Sequence, residues 1–477
     1  MSLRIPSAAR RAAQLGASAV AAALLAPASA SAHGLVGKQD LPIPRWLFAW
    51  GASLVLIASF VGLAVLWAEP RLQHVRERLV LRVPRALEVL AGAVGVAAFT
   101  LVVYAGFAGT QAATANLAPT VIYVLFWVGI PFISLFLGDV FRAFNPWLAI
   151  GRATGWVVRR VGGEEVEPLP YPERLGRWPA AAGVLIFAWV ELVYANKDDP
   201  SQLAVMALAY AAVQLVGMSL YGADVWSRRG DAFGVYFGLF GRLAPLRWRD
   251  GGLRRRPPLA GAPALTPVAG TVALLCTMIG TTSFDGFSQG SVWQSILPDL
   301  QSFFVDAGLN AEHALEVAST IGLVGMVLVI SALYRLGVAG MHTVGRRQST
   351  GELAGAFAHT LIPIALAYVV AHYFSLLAYQ GQALAPLASD PLGHGSDLLG
   401  TAGIAINYTW VSATGIWYVQ VAALVLGHVA GLTLAHDRAL AMYARVRDAT
   451  RSQYWMLAVM VAFTSLGLWL LSAAAQS

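Results

Sequence analysis

Three ionisable residues in or beside long apolar segments could do chemistry. His372 lies within "LIPIALAYVVAHYFSLL", Asp285 within "TSFDGFS" and Glu191 within "FAWVELVYANKDD". Ionisable side chains in membrane spans are costly and point to functional sites. Imidazole and carboxylate ligands with one open position suit a hydrolytic metal centre, where the ion lowers the pKa of bound water and polarises a phosphoryl oxygen. We therefore expect His372 as a metal ligand, with Asp285 and Glu191 as catalytic carboxylates of the same site.

Both carboxylates also have an ordinary structural interpretation. Asp285 precedes a glycine, and Asp-Gly favours turns. Glu191 closes an apolar segment, where its side chain could reach the membrane interface. The sequence leaves these alternatives open, because the three residues are far apart along the chain and only the fold can bring them together.

His33 would join this site if a leader is removed. A basic start, a short apolar stretch and Ala-Ser-Ala before His33 are typical of a secretory signal peptide, so we predict cleavage after residue 32. A mature N-terminal histidine offers its α-amine and its imidazole to one ion, a set that suits copper best and zinc next. His33 is therefore the second predicted metal ligand. An uncleaved anchor, or a histidine placed first by chance, is the alternative.

A second pair of histidines lies deeper in the apolar segments. His359 and His372 are thirteen positions apart, about 20 Å along a helix, so they cannot share one ion. The following apolar segment returns His428 to the depth of His359. This pair is predicted to bind a cofactor, either as metal ligands or as ligands of haem b, or to relay protons. An interhelical hydrogen bond is the structural alternative. A two-haem bundle is disfavoured, since the next histidine after His428, His436, follows at a gap of only eight.

The composition places these residues in an all-α polytopic membrane protein. The 477 residues are 57% hydrophobic and 12% charged, about half the charged fraction of a soluble domain. We predict a signal peptide at 1–32 and a single integral helical domain at 33–477. About ten apolar segments can cross the bilayer: 46–67, 87–109, 119–138, 178–194, 202–222, 267–284, 317–337, 353–379, 412–435 and 453–472. The single cysteine excludes a disulfide framework within the chain.

The distribution of arginine predicts the orientation. Most of the arginines fall in alternate loops, 69–86, 142–177 and 226–265 among them, whereas the loops 110–118, 285–316 and 380–411 carry no Lys or Arg. The positive-inside rule then places His33 outside the cytoplasm. The net charge of +7 belongs to this pattern and does not indicate nucleic acid. The stretch 231–250, too short to span, is expected to lie as an amphipathic segment in the interface.

Several of these stretches resemble one family. "AHGLVGKQDLPIPRWLFAWGASLVLIASFVGLAVLW", "GDVFRAFNPW", "DAFGVYFGLFGRLAP", "TSFDGFS" and "LIPIALAYVVAHYFSLL" are similar to bacterial integral membrane proteins labelled fenitrothion hydrolase, over nearly the whole chain. The resemblance implies cleavage of an aryl phosphorothioate ester in the bacterial inner membrane. It assigns no catalytic residue, so the candidate residues rest on chemistry and topology.

Two classes of function follow from the sequence. The first is a metal-dependent hydrolase of lipophilic organophosphate triesters that reach it through the lipid bilayer. The second is a copper-handling or haem-binding membrane protein that uses His33 and the histidines within its spans. A partner subunit is compatible with either class.

Overall fold

The computed structural model describes residues 45–161, 167–249, 251–344 and 348–474. The predicted signal peptide and His33 lie outside these ranges. The described chain is helical apart from one small sheet, as the sequence predicts. The helices of the first half are α1 Arg45–Leu66, α2 Arg85–Ala108, α3 Leu117–Leu137, α4 Pro146–Val161, α5 Trp178–Leu192, α6 Pro200–Tyr221, α7 Ala223–Arg229 and α8 Ala232–Gly241. Those of the second half are α9 Thr271–Ser288, α10 Ser291–Asp306, α11 Ala311–Gly340, α12 Thr350–Phe357, α13 Leu361–Gln380, α14 Leu384–Ser389, α15 Ala413–Met442, α16 Val446–Ser452 and α17 Tyr454–Ala474. The strands are β1 Arg78–Arg82, β2 Leu246–Arg249 and β3 Gly252–Arg255, and short helical turns, Phe141–Phe144 among them, complete the chain.

Six helical stretches of the described chain are long and apolar enough to cross a membrane. They are Arg85–Ala108, Leu117–Leu137, Pro200–Tyr221, Ala311–Thr343, Thr350–Ser389 and Ala413–Met442. Each matches a predicted span. The other four predicted spans are helical as well, as α1, α5, α9 and α17, and their crossing stays a prediction. The fifteen residues of α5 would reach about 22 Å, less than the ~30 Å hydrocarbon core.

Helix α9 lies at the centre of the bundle. Fourteen of its eighteen residues are buried, and it packs against α5, α11, α13 and α17. Because protein rather than lipid surrounds it, α9 can carry Thr277, Thr281, Ser283 and Asp285, which lower its hydropathy. The crossing with α11 is close: a Cβ at Gly280 would lie 2.7 Å from the Cα of Val327, so only glycine fits there.

Helices α13 and α15 form the most extensively packed pair. A Cβ at Gly427 would lie 2.2 Å from the Cβ of Ala367, and one at Gly431 would lie 3.0 Å from the carbonyl oxygen of Thr360. Small residues allow two helix backbones to approach in this way. Most of α13, including His372, is thereby enclosed by protein.

The stretch 231–250 is not the interfacial segment that the sequence predicts. Its helix α8 is buried on nearly every side and packs against α3, α5 and α7. Phe233, Tyr236 and Phe237 contact aromatic rings of α3 from different directions, with Tyr236 stacked on Trp127 at 4.7 Å between ring centroids. The prediction is wrong because a helix that is apolar all round belongs in a core rather than at an interface. A short helix between spans is tolerated where protein covers its ends.

Two arginine-rich loops form an antiparallel sheet that the sequence analysis does not predict. The strand order is β1-β3-β2, with Arg78 opposite Arg255 and Arg249 opposite Gly252. The sheet joins the loop after α1 to the loop after α8. It fixes several arginines of these loops relative to one another.

The buried carboxylate of Asp231 connects three parts of the fold. Its oxygens accept hydrogen bonds from Asn145 Nδ2 at 2.7 Å, Trp147 Nε1 at 2.8 Å and the Tyr210 hydroxyl at 2.8 Å, and from the Gly234 N–H at 3.1 Å. Two of the stretches quoted above, "GDVFRAFNPW" and "DAFGVYFGLFGRLAP", therefore meet at this residue. The four donors compensate for the loss of water around a buried charge.

Asp437 plays the same part in the second half of the bundle. It is fully buried in α15 and accepts hydrogen bonds from the Trp67 indole at 3.2 Å, the Leu72 N–H at 3.1 Å and Gln73 Nε2 at 2.6 Å, and from the N–H of Arg71. The loop that follows α1 is thus attached to α15.

Replacing Asp231 by Asn is expected to destabilise the protein by at least about 2 kcal/mol, because the amide places N–H groups against buried donors. Unfolding in detergent measures the difference. Asp224 provides the matched control: its half-exposed carboxylate pairs with Arg142 and Arg152 at 2.8 and 2.7 Å, and Asp224→Asn should cost less than about 1 kcal/mol. Equal losses for the two variants would contradict the role given to Asp231.

Candidate functional site

Asp285 and His372 meet in the interior of the bundle. Helix α9 contributes Asp285 from its last turn, and α13 contributes His372 from its middle. Nε2 of His372 lies 2.7 Å from Oδ2 of Asp285, and the two side chains are 5% and 1% exposed. The structure therefore places two of the predicted site residues in direct contact.

Glu191 lies beside this pair. It occupies the last turn of α5, is 3% exposed, and interacts electrostatically with Asp285 and with Lys197. Its nearest polar neighbours are Tyr373 and Trp127. Neither carboxylate oxygen of Glu191 has a hydrogen bond of ordinary geometry to a residue that the structure describes. The three residues predicted to share one site therefore do share one region.

Aromatic side chains enclose the three residues. The ring of Tyr373 meets that of His372 edge-on at 4.8 Å, and Tyr373 interacts with both carboxylates. Trp127 packs against Phe187 of α5 at 4.7 Å and stacks on Tyr236 of α8. Sequence reasoning missed Trp127, Tyr236 and Tyr373. The sequence offers a signal for Tyr373 alone, because this residue directly follows His372.

Trp127 projects from an irregular part of α3. Residues Thr120–Gly129 form a π-helical stretch, a rare conformation that is frequent at functional sites. The same stretch carries Tyr123, whose hydroxyl donates a hydrogen bond to the carbonyl of Lys197 at 2.8 Å. This contact connects α3 to the loop that follows Glu191.

The environment of Glu191 differs from that of the structural carboxylates. Asp231 and Asp437 each accept four hydrogen bonds. A charge buried without comparable donors costs several kcal/mol, unless a proton or a cation neutralises it. Glu191 is therefore suited to hold a proton or a cation, which is a chemical rather than a structural role.

The described residues alone do not complete a metal centre. They contain no group of three or more His, Cys, Asp or Glu side chains placed to hold one ion. Glu191, Asp285 and His372 are suitable donor types, but a full ligand set would need another donor or a rearrangement. The predicted further ligand, His33, lies outside the described residues, so ligation of copper or zinc stays a prediction.

The deeper histidines have separate surroundings. Nδ1 of His428 lies 2.7 Å from the carbonyl oxygen of Leu424 on its own helix, and its ring lies beside those of Tyr368 and Phe463. His359 has the guanidinium groups of Arg438 and Arg242 as electrostatic neighbours. Cationic neighbours oppose binding of a metal ion. Ligation of a metal or haem b by His359 and His428 stays a prediction, and the contact of His428 is the kind that a structural histidine makes.

His436, at the end of the same helix, is part of the attachment around Asp437. Its Nε2 donates to the carbonyl of Trp67 at 3.0 Å, and Gln453 Nε2 donates to its Nδ1 at 3.2 Å. Both ring nitrogens thus have partners, which gives His436 a structural role.

Comparison with protein-family models, with curated proteins and with solved structures gave no match.

A double-mutant cycle tests the contact between Asp285 and His372. We expect the effects of Asp285→Asn and His372→Asn on the free energy of unfolding to be non-additive by about 0.5–3 kcal/mol, because the side chains touch. The matched control combines Asp285→Asn with His342→Asn in the short turn that follows α11, where His342 contacts Thr350. That pair should be additive within about 0.5 kcal/mol. Additivity in both cycles would show that the contact does not exist in the folded protein.

Proposed function

We propose that this chain is a membrane-embedded hydrolase of lipophilic organophosphate triesters, in particular aryl phosphorothioate esters. The 2.7 Å contact between His372 and Asp285, with the Glu191 carboxylate beside it, is the observation that carries the proposal. The resemblance to the fenitrothion hydrolase family supplies the substrate class. The proposed setting is the bacterial inner membrane, with about ten spans and the mature N-terminus outside the cytoplasm.

The position of the site suits a substrate dissolved in lipid. A neutral triester partitions into the bilayer and can reach the site between helices, without a polar channel. The region between α5, α9 and α13 is lined by aromatic rings, which match an aryl leaving group. Burial also strengthens electrostatic interactions with the charge that develops during reaction.

The proposed reaction needs a base and a hydrogen-bond donor. The Asp285–His372 pair accepts one proton from a water molecule, whose oxygen forms a bond to phosphorus. The bond from phosphorus to the aryl oxygen breaks, and the aryl oxide leaves with the electron pair. A nitrophenolate is a stable anion, so its departure needs little acid assistance.

Glu191 takes the second role. Holding a proton, it donates a hydrogen bond to the phosphoryl oxygen or sulfur as negative charge develops there. A carboxylic acid kept neutral in an apolar site can act in this way beside an ionised carboxylate. Tyr373, which interacts with both Glu191 and Asp285, positions the two groups.

A divalent ion held by His33 and His372 would supply a bound water of lower pKa. His33 lies outside the described residues. The alternative function, in copper handling or haem binding, draws no support from the contacts of His359 and His428.

Removing the base is expected to abolish most turnover. With a nitrophenyl phosphorothioate triester in proteoliposomes, His372→Asn should lower kcat/KM by about 100-fold or more, the usual contribution of a general base. Release of nitrophenolate provides the readout, and metal analysis of the same samples reports whether copper or zinc is lost as well. His342→Asn, a matched change at a partly buried histidine outside the candidate site, should leave the rate unchanged.

Two substitutions of Glu191 test whether the site needs a hydrogen-bond donor at this position rather than a group that can ionise. Glu191→Gln keeps an N–H donor and should retain more activity than Glu191→Ala. Wild-type rates in His372→Asn and in both Glu191 variants would reject the proposed site, and absence of turnover by the wild-type protein would reject the function.

A further inference from the structure

A cavity of about 580 Å³ lies at the arginine-rich end of the bundle, away from Glu191, Asp285 and His372. Its walls come from the loop after α3, the residue before α5, helices α7 and α8, strand β2 and the segment after β3. Seven arginines line it, and Asp139 is the one carboxylate among its described lining residues. Such a concentration of guanidinium groups around one space is unusual for an empty structural cavity, because like charges repel.

The ion pairs around the cavity do not balance this charge. Asp224 pairs with Arg142 and with Arg152, which lies outside the cavity lining. Glu77 pairs with Arg247 at 2.8 Å and with Arg256 at 3.5 Å. Three further lining arginines, Arg177, Arg228 and Arg242, form no ion pair with a carboxylate that the structure describes.

Several of the arginines are held in place by backbone carbonyls. Arg256 donates to the carbonyl oxygens of Ala244, Gly241 and Arg242 at 3.0–3.2 Å. Arg177 donates through Nη1 to Thr266 and Thr271, while its Nε has no hydrogen-bond partner among the described residues. Arg177 is only 8% exposed. Because this buried guanidinium group lines the cavity, its unpartnered N–H indicates a binding site for a hydrogen-bond acceptor.

Burial, and to a smaller extent charge repulsion, alters the acid strength of the ionisable groups at the cavity. Burial and neighbouring guanidinium groups lower the pKa of Arg177 and that of Arg242 to about 10. Burial raises the pKa of Asp139 to about 6, although Arg142 opposes this shift. A bound anion would relieve the repulsion among the arginines.

One wall of the cavity is backbone. Gly234, Gly238 and Gly241 line it from one face of α8, at positions i, i+4 and i+7. A Cβ at Gly261 would lie 2.2 Å from the guanidinium group of Arg256, so that glycine is required for the position of this arginine. Trp248, 43% exposed, lies at the lining as well.

We propose that this cavity binds an anion bearing at least two phosphoryl charges. Arginine is the side chain best matched to phosphate, because its planar guanidinium group donates two parallel hydrogen bonds. The volume exceeds that of one phosphate ion, and the cavity lies where the arginine-rich loops would meet lipid head groups. Two sources supply this chemistry: the head group of an anionic phospholipid, and a soluble diphosphate.

Two binding measurements on the full-length protein in neutral detergent distinguish the sources. Inorganic pyrophosphate is titrated by calorimetry. Cardiolipin is added in mixed micelles and its binding is measured by native mass spectrometry. Binding of cardiolipin with no response to pyrophosphate assigns the site to lipid, and the reverse assigns it to a soluble ligand.

The variants locate the site. Arg228→Gln and Arg242→Gln should each weaken binding by about tenfold, the loss of one charge-assisted hydrogen bond. Arg152→Gln is the matched control: it also removes an arginine near Asp224 but lies outside the lining, so binding should be unchanged. Asp139→Asn should tighten binding, because it removes the negative charge of the lining. A misfolded variant would not bind the anion more tightly, so this opposite change shows that the substitutions act on binding and not on folding.

The proposal is overturned if neither probe binds the wild-type protein. It is overturned as well if Arg228→Gln, a change at an exposed position of the lining, binds like Arg152→Gln. Hydrolysis at Glu191, Asp285 and His372 does not enter either measurement, so the two proposals stand or fall separately.

Discussion

A carboxylate cannot stay charged inside an apolar bundle unless hydrogen-bond donors surround it, and much of this structure follows from that constraint. Asp231 collects donors from the turn before α4, from α6 and from the first turn of α8. Asp437 collects them from the loop after α1. These contacts bring irregular segments into fixed positions on the spans. The cavity lined by arginines depends on the contacts of Asp231, since the loop before α4 and helix α8, which Asp231 holds together, both carry lining residues.

The same constraint distinguishes the candidate site from the rest of the fold. Asp285 contacts the imidazole of His372 and interacts with Tyr373, and Glu191 has no hydrogen bond of ordinary geometry within the described chain. Burial of this kind is a cost to folding, and proteins retain such groups where chemistry needs them. Because their surroundings differ, Asp285 can serve as an ionised base and Glu191 as a neutral hydrogen-bond donor. The proposed hydrolysis of a neutral ester would use that pair of roles.

The predicted depths of Glu191, Asp285 and His372 along their spans are sufficient to predict that the three residues lie together. Each is placed by the predicted direction of its own helix, which the alternation of arginine-rich loops indicates. Packing was not predictable in the same way. Hydropathy shows that 232–241 is apolar but not that Trp127 stacks on Tyr236, so the sequence predicts an interfacial segment where the structure has a buried helix. The sheet, and the donors around Asp231, also pair residues far apart in sequence, which periodicity cannot reveal.

The central claim is that the Asp285–His372 pair directs water to phosphorus. A single turnover in ¹⁸O-labelled water, with the protein in excess over a nitrophenyl phosphorothioate triester, tests it most directly. The account predicts that the label appears in the phosphorothioate product and that the recovered protein is unlabelled. Label in the carboxyl group of Asp285 or Glu191, with none in the product, would show that a carboxylate attacks phosphorus and would contradict the account.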